Sequence, residues 1–116
     1  MGDNNKEGAT PDVLPQTAED YSRRGWFHLS AQETESAVSD FKTAVSMNSD
    51  LVEAAFGLGM ALKADKQGEE AIKAFDQAIA LLDNGAFEDN ARAEMFRRII
   101  RAQRRFVGTE LDPTSA

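Results

Sequence analysis

The sequence predicts an all-α protein of about five helices, arranged as two helical hairpins followed by a longer fifth helix. Three observations predict this fold class: apolar residues recur at helical spacing, the pattern repeats at a fixed interval, and no segment alternates with the period of two that a strand requires. With 116 residues, 41% of them hydrophobic and 28% charged, the chain has the composition of one globular domain.

Five pairs of equal or similar residues carry the repeat, whose period is about 34 residues. They are Gly25, Ala37, Phe41, Ala44 and Val45, matched by Gly59, Ala71, Phe75, Ala78 and Ile79. In each copy the last four of these form one apolar stripe on a helix. The glycine of each copy lies in the preceding helix, where it costs about 1 kcal/mol relative to alanine unless a close approach requires it. Two helices are therefore expected to touch at each glycine.

The turn-forming residues divide the chain into elements. Helices are expected near residues 18–31, 34–47, 52–65 and 68–82, and Gly85 is expected to adopt a left-handed conformation after the fourth. Residues 17–107 form the predicted domain, in which 89–107 are the longest helix. Residues 1–16 and 108–116 are expected to be a flexible arm and a flexible tail.

With these features, residues 18–85 resemble two tetratricopeptide repeats, at 18–51 and 52–85. The second copy has all the apolar residues that are typical of this family: Ala55, Leu58, Gly59, Leu62, Ala71, Phe75 and Ala78. The first copy has Tyr21, Gly25, Ala37, Phe41 and Ala44, but Arg24 and His28 where leucine and tyrosine are usual. The resemblance implies a right-handed stack of helical hairpins. In that stack the helix at 89–107 is a cap, with Ala93 and Phe96 as its small and large packing residues.

The resemblance also implies that ligands bind on the concave face of the first helix of each hairpin. That face holds Trp26, Leu29, Phe56 and Met60, together with Arg23. Arg23 alone does not make a carboxylate clamp, so binding of a chaperone's C-terminal tail is not expected. Large apolar side chains dominate interface energetics, which favours a protein or peptide partner with apolar anchors. The sequence thus predicts a non-catalytic adaptor or chaperone-like module that binds a peptide or partner helix in this groove.

Three alternatives would cover the same groove without an external partner. In the first, Trp26 packs under the fifth helix. In the second, the N-terminal arm lays Val13, Leu14 and Pro15 into the groove. In the third, two chains form a homodimer.

The predicted fifth helix is amphipathic and carries a separate candidate surface. Its apolar residues are Met95, Phe96, Ile99, Ile100, Phe106 and Val107, and its arginines are Arg97, Arg98, Arg101, Arg104 and Arg105. Residues 89–107 have 6 basic and 2 acidic residues, net +4, whereas residues 1–88 have 7 basic and 16 acidic, net −9.

Two hypotheses account for the arginines. In the first they are the polar face of a cap and are drawn to the acidic repeats; in the second they bind an anionic partner, which is nucleic acid, a membrane surface or an acidic peptide. The first is favoured because a solenoid requires a terminal helix with one polar face. The net charge of −7 also argues against nucleic acid as the partner of the whole surface.

No pattern in the sequence indicates catalysis, a cofactor or a metal. The chain has no cysteine, and its single histidine, His28, has no nucleophile nearby and falls at a hairpin-core position, so a structural role is expected. No apolar run approaches the roughly 20 residues that span a bilayer, and the polar N-terminus lacks the apolar segment of a signal peptide. We therefore expect a cytoplasmic protein that is not an enzyme.

Overall fold

The computed structural model describes residues 14–111 of the chain. This part contains five α-helices and no strand. The helices are α1 (Ala18–Ser30), α2 (Thr34–Met47), α3 (Val52–Ala64), α4 (Gly68–Asp83) and α5 (Asn90–Leu111). α1 packs on α2 and α3 on α4 as two hairpins; α3 also packs on α2, and α5 on α4. The predicted all-α class is confirmed.

The two hairpins repeat each other with the period found in the sequence. α3 follows α1, and α4 follows α2, at the same interval along the chain. Both hairpin turns contain one residue in the left-handed region, Gln32 and Lys66, each with φ of 65°. In each turn the following residue donates a backbone hydrogen bond to the carbonyl five residues earlier, at 2.8 and 2.9 Å. Both turns thus close the preceding helix with the same Schellman geometry. Gly85, after α4, has the predicted left-handed conformation, with φ of 90°.

Glycines allow the close helix contacts that the repeat predicted. A Cβ atom on Gly25 would lie 3.0 Å from the ring of Phe41, and one on Gly59 would lie 2.5 Å from the ring of Phe75. Gly57 of α3 also lies against the ring of Phe41. Phe41 therefore fills the space between α1 and α3, and no larger residue fits at either glycine without moving the ring.

A capping box fixes the start of α1. The Thr17 hydroxyl accepts from the backbone N–H of Asp20, and the Asp20 carboxylate accepts from the backbone N–H groups of Thr17 and Gln16. The hydrogen bond from the Gln16 backbone and the one from the Arg23 side chain lower the pKa of Asp20 from 3.8 to about 2.

The chain ends differ from the predicted bounds. The fifth helix, expected to end at residue 107, continues to Leu111, so the first residues of the predicted tail are helical. This extension is held because Val107 and Leu111 pack on Gly68 at the start of α4. Of the predicted arm, residues 14–16 have no regular secondary structure, and residues 1–13 lie outside the described part, as do 112–116 of the tail.

Candidate functional site

Four aromatic side chains form a continuous row across the first helices of the hairpins and onto α5. The ring of Trp26 in α1 lies 5.9 Å from that of Phe56 in α3, and the Phe56 ring lies 5.2 Å from that of Phe96 in α5. Phe96 in turn stacks on Phe87, at 5.7 Å. All four side chains are half-buried. We call Trp26, Phe56, Phe96 and Phe87 the aromatic row.

The glycine contacts position this row. Because Phe41 lies against both Gly25 and Gly57, α1 and α3 approach closely enough for Trp26 and Phe56 to meet. Trp26 also presents an edge to Phe41, at 5.2 Å, so one side of its ring packs on the hairpin core. The remaining part of each ring is accessible, which is the arrangement of a surface that offers apolar anchors without losing its support.

The structure brings two of the predicted groove residues into contact. Trp26 and Phe56 are in contact, and Leu29 and Met60 are half-buried against the same core. Arg23 is exposed and pairs with Asp20 of its own helix at 3.0 Å, and not with the other groove residues.

The alternatives for the groove fare differently. Leu14, from the predicted arm, is 74% exposed and therefore does not fill the groove, while Val13 lies outside the described residues. The fifth helix does reach the groove, but through the contact of Phe96 with Phe56.

Sequence reasoning missed two members of the row, the cation beside it, and a second cation that lies over Phe106, outside the row. Phe96 was assigned to packing alone, and Phe87, in the loop before α5, was not considered. The Arg92 guanidinium lies 4.7 Å from the Phe87 ring centre, and the Lys63 ammonium lies 4.6 Å from that of Phe106. The spacing of Phe87 and Arg92 on either side of a helix start carries no periodic signal, so only the fold reveals this contact.

Two of the five predicted arginines bind carboxylates of α4. Arg97 Nε donates to Asp83 Oδ1 at 2.9 Å, and Arg104 Nε donates to Asp76 Oδ1 at 2.6 Å. Hydrogen bonds from Arg97 to Glu94 and then to Asp83 raise the pKa of Arg97, and the bond to Asp76 raises that of Arg104. The two acids and the two arginines are each seven residues apart, so the pairs lie two turns apart on antiparallel helices.

The other three arginines are exposed. Arg98 lies 3.7 Å from Glu94, and Arg101 and Arg105 line a shallow depression with Arg104 and Asp76. The five arginines therefore do not form one uniform cationic face, since two are engaged in holding α5 on α4.

A polar network replaces part of the core in the first hairpin. Arg24 donates two hydrogen bonds to the buried carboxylate of Asp40, at 2.7 and 2.9 Å, and these bonds raise the pKa of Arg24. His28 bridges Asp40, 3.6 Å from its Nε2, and Glu33, 2.6 Å from its Nδ1. His28 thus has structural partners at both ring nitrogens.

The second hairpin shows what the network replaces. At the equivalent positions of the repeat it has Leu58, Leu62 and Ala74. Asp40 was not singled out from the sequence, although it falls on the same helical face as Ala37 and Ala44, where a carboxylate requires a partner.

Comparison with known proteins identifies no matching family profile and no characterised protein with significant sequence similarity. Within residues 14–111, no helix is long and apolar enough to cross a membrane, and no group of three or more acidic, histidine or cysteine side chains could hold a metal ion.

Proposed function

We propose that this chain is a tetratricopeptide-type, non-catalytic interaction module of the cytoplasm, an adaptor or chaperone-like protein that binds a peptide or partner helix along the aromatic row. The observation that carries the proposal is the row itself: Trp26, Phe56 and Phe96 come from three different helices and meet on one surface. Aromatic residues anchored on a rigid core are the usual hot spots of protein interfaces.

The repeat geometry supports the tetratricopeptide assignment. Its support consists of the equal offset of both helix starts, the equal left-handed turns at Gln32 and Lys66, and the equivalent contacts of Gly25 and Gly59 with a phenylalanine. Each of these is a backbone requirement, which apolar composition alone would not impose.

Peptide selection tests the proposal directly. Peptides selected from a phage-displayed random library on the immobilised protein would be remeasured by fluorescence anisotropy with wild type, Trp26→Ala and Phe56→Ala. Trp26→Ala should weaken binding by about 2 kcal/mol, roughly thirtyfold. Phe27→Ala is the matched control, because Phe27 is the adjacent, more exposed aromatic residue on α1 and is not part of the row. Equal binding by wild type and Trp26→Ala would contradict the proposal, as would a library that yields no binder.

The hypothesis that all five arginines bind an anionic partner has less support, because Arg97 and Arg104 already hold α4. Replacing Arg97, Arg101 and Arg104 by glutamine separates the two hypotheses. If the arginines secure the cap, the triple variant should melt at a lower temperature and still bind the selected peptides. If they bind an anionic partner, wild-type affinity for single-stranded or duplex oligonucleotides should be measurable and fall steeply with salt, and the triple variant should lose it.

A further inference from the structure

α5 carries an apolar surface that no other described helix covers. Met95, Ile99 and Phe106 are 59%, 46% and 52% exposed, although each is a large hydrophobic residue. With Ala102 they step by four, three and four residues, so they fall within an arc of about 60° on the helix. We call Met95, Ile99, Ala102 and Phe106 the outer stripe. It runs for about 16 Å, or three helical turns.

The outer stripe is distinct from the buried face of the same helix. Ala93, Ile100 and Val107 pack against the core, and their spacing of seven residues marks the side of α5 that faces α4. The stripe is turned about 130° away from that side. Packing of α5 in its own fold therefore does not account for the stripe, and an exposed apolar patch of this kind typically marks an interaction site.

Cations border the outer stripe on both sides. Arg98 and Arg105, both exposed, occupy the next positions round the helix on one side. On the other side lie Arg92 and Lys63, whose ammonium group rests 4.6 Å from the ring of Phe106. The α5 carboxylates are few: Glu94 is bound to Arg97 at 2.6 Å and lies 3.7 Å from Arg98, and Glu110 lies one turn beyond the stripe.

This charge pattern argues against two occupants. Two copies of the stripe packed face to face would bring the Arg98 and Arg105 side chains of both chains together, and such like-charge juxtaposition is unfavourable. The segments of the sequence outside the described part, 1–13 and 112–116, have only Met1 and Val13 as large apolar residues, too few to match three turns of stripe.

Because cations border an exposed apolar stripe, we propose that the outer stripe binds an amphipathic helix of another protein, one whose apolar face is flanked by acidic residues. The stripe residues step by four, three and four, as one side of a helix–helix seam does, and the partner's flanking carboxylates pair with Arg98, Arg105 and Lys63. The stripe is a second surface, separate from the aromatic row, so it does not depend on the function proposed for the row.

Two synthetic peptides test the proposal. The first is a helical peptide of three heptads with leucine at the apolar positions and glutamate at the flanking ones; the second has lysine in place of every glutamate. Binding of each labelled peptide to the full chain is measured by fluorescence anisotropy. The glutamate peptide should bind and the lysine peptide should not.

Four variants assign the contact. Ile99→Gln with Phe106→Gln should weaken binding of the glutamate peptide at least about tenfold. Arg98→Glu with Arg105→Glu should reverse the preference, so that the lysine peptide binds better. Met47→Gln, at an exposed methionine of α2, is the matched control and should bind as wild type does. Trp26→Ala should also leave this affinity unchanged, and so separates the stripe from the aromatic row.

Several results would overturn the proposal. They are equal binding of both peptides, binding of neither, and a preference that the charge reversal leaves unchanged. Light scattering of the unliganded protein tests whether a second copy of the chain occupies the stripe. A dimer that Ile99→Gln with Phe106→Gln converts to monomer would show that it does, and would overturn the proposal. Far-UV circular dichroism of each variant shows whether it is folded, so that a loss of peptide binding is interpreted only for folded variants.

Discussion

The polar network of the first hairpin should respond unequally to removal of its two charged partners. Asp40 is 5% exposed, whereas the Arg24 side chain is 27% exposed. Replacing Arg24 by leucine leaves a buried carboxylate with only His28, 3.6 Å away, as a partner. Replacing Asp40 by alanine leaves a long cationic side chain that is already partly exposed and can extend into water.

The burial of each side chain determines how far its replacement should lower the free energy of unfolding. Breaking a buried ion pair costs about 3–5 kcal/mol when the remaining charge stays buried. His28 remains close to Asp40, so we expect Arg24→Leu to lower the free energy of unfolding by about 2–3 kcal/mol. Asp40→Ala should cost about 1 kcal/mol, because the freed guanidinium can extend into solvent and exposed pairs contribute little.

The second hairpin provides a matched apolar solution. Introducing its residues together, as Arg24→Leu, His28→Leu and Asp40→Ala, removes the whole network and leaves no uncompensated charge. Replacement of a complete buried ion pair by apolar residues is often neutral or stabilising by about 1–4 kcal/mol. The triple variant should therefore be more stable than Arg24→Leu alone and come within about 1 kcal/mol of the wild type.

Urea unfolding measures all four proteins. Far-UV circular dichroism reports the helices, and fluorescence of Trp26, the single tryptophan, reports the first hairpin through its contact with Phe41. The reasoning would be refuted if Asp40→Ala were costlier than Arg24→Leu, or if the triple variant lost as much stability as the single variants summed. Either result would mean that the network contributes through packing and not through charge.

Three further predictions concern the scaffold. Removal of α5 should give an unfolded or self-associating fragment, because the apolar face of α4 becomes exposed at about 1.5–3 kcal/mol per large side chain; a monomer that melts like the full chain would contradict this. Gln32→Gly and Lys66→Gly should each raise the free energy of unfolding by up to about 1 kcal/mol, since both residues have φ of 65°, and Gln32→Ala should not. The pKa of Asp20 is lowered to about 2. The extra stability of wild type over Asp20→Asn should therefore have its full value above about pH 4 and disappear as the pH falls towards 2. Melting temperatures of both proteins measured against pH check this.

The helices and the repeat could be predicted because they depend on local pattern. Gly25 and Gly59 stand out in helical segments, and each proves to lie against the phenylalanine that the repeat assigns to its own hairpin. The predicted ends of the first four helices agree with the structure to within one residue. Such features involve residues close together in sequence, for which spacing is a sufficient guide.

Contacts between distant residues were harder to predict. Arg24 and His28 were recognised as departures from the repeat, but their common partner, Asp40, was not. A signal did exist, because Asp40 occupies the place of Ala74 in the second copy, on the apolar face of its helix. Three polar residues at positions where the other copy is apolar imply that they satisfy one another, since a buried charge without a partner is costly.

The two faces of α5 illustrate what periodicity cannot supply. A helical wheel separates arginines from apolar residues, but it does not say which arc a neighbouring helix covers. In the structure Ile100 and Val107 face the core, while Ile99 and Phe106 do not. The rotation of α5 follows the burial of Ile100 and Val107, and ion pairs two turns apart, from Arg97 and Arg104 to carboxylates of α4, agree with it.

Those ion pairs connect the two hypotheses that the sequence left open. Arginines that pair with α4 also favour the rotation in which the outer stripe is turned outward. A change of rotation by one residue, about 100°, would bury the outer stripe and expose the present core face. The arginines are thus expected to support binding without touching a partner, because their ion pairs add to the packing that presents the outer stripe and its bordering cations as one surface. In the glutamine variant of Arg97 and Arg104, affinity for an acidic helix should therefore fall although neither residue belongs to the stripe.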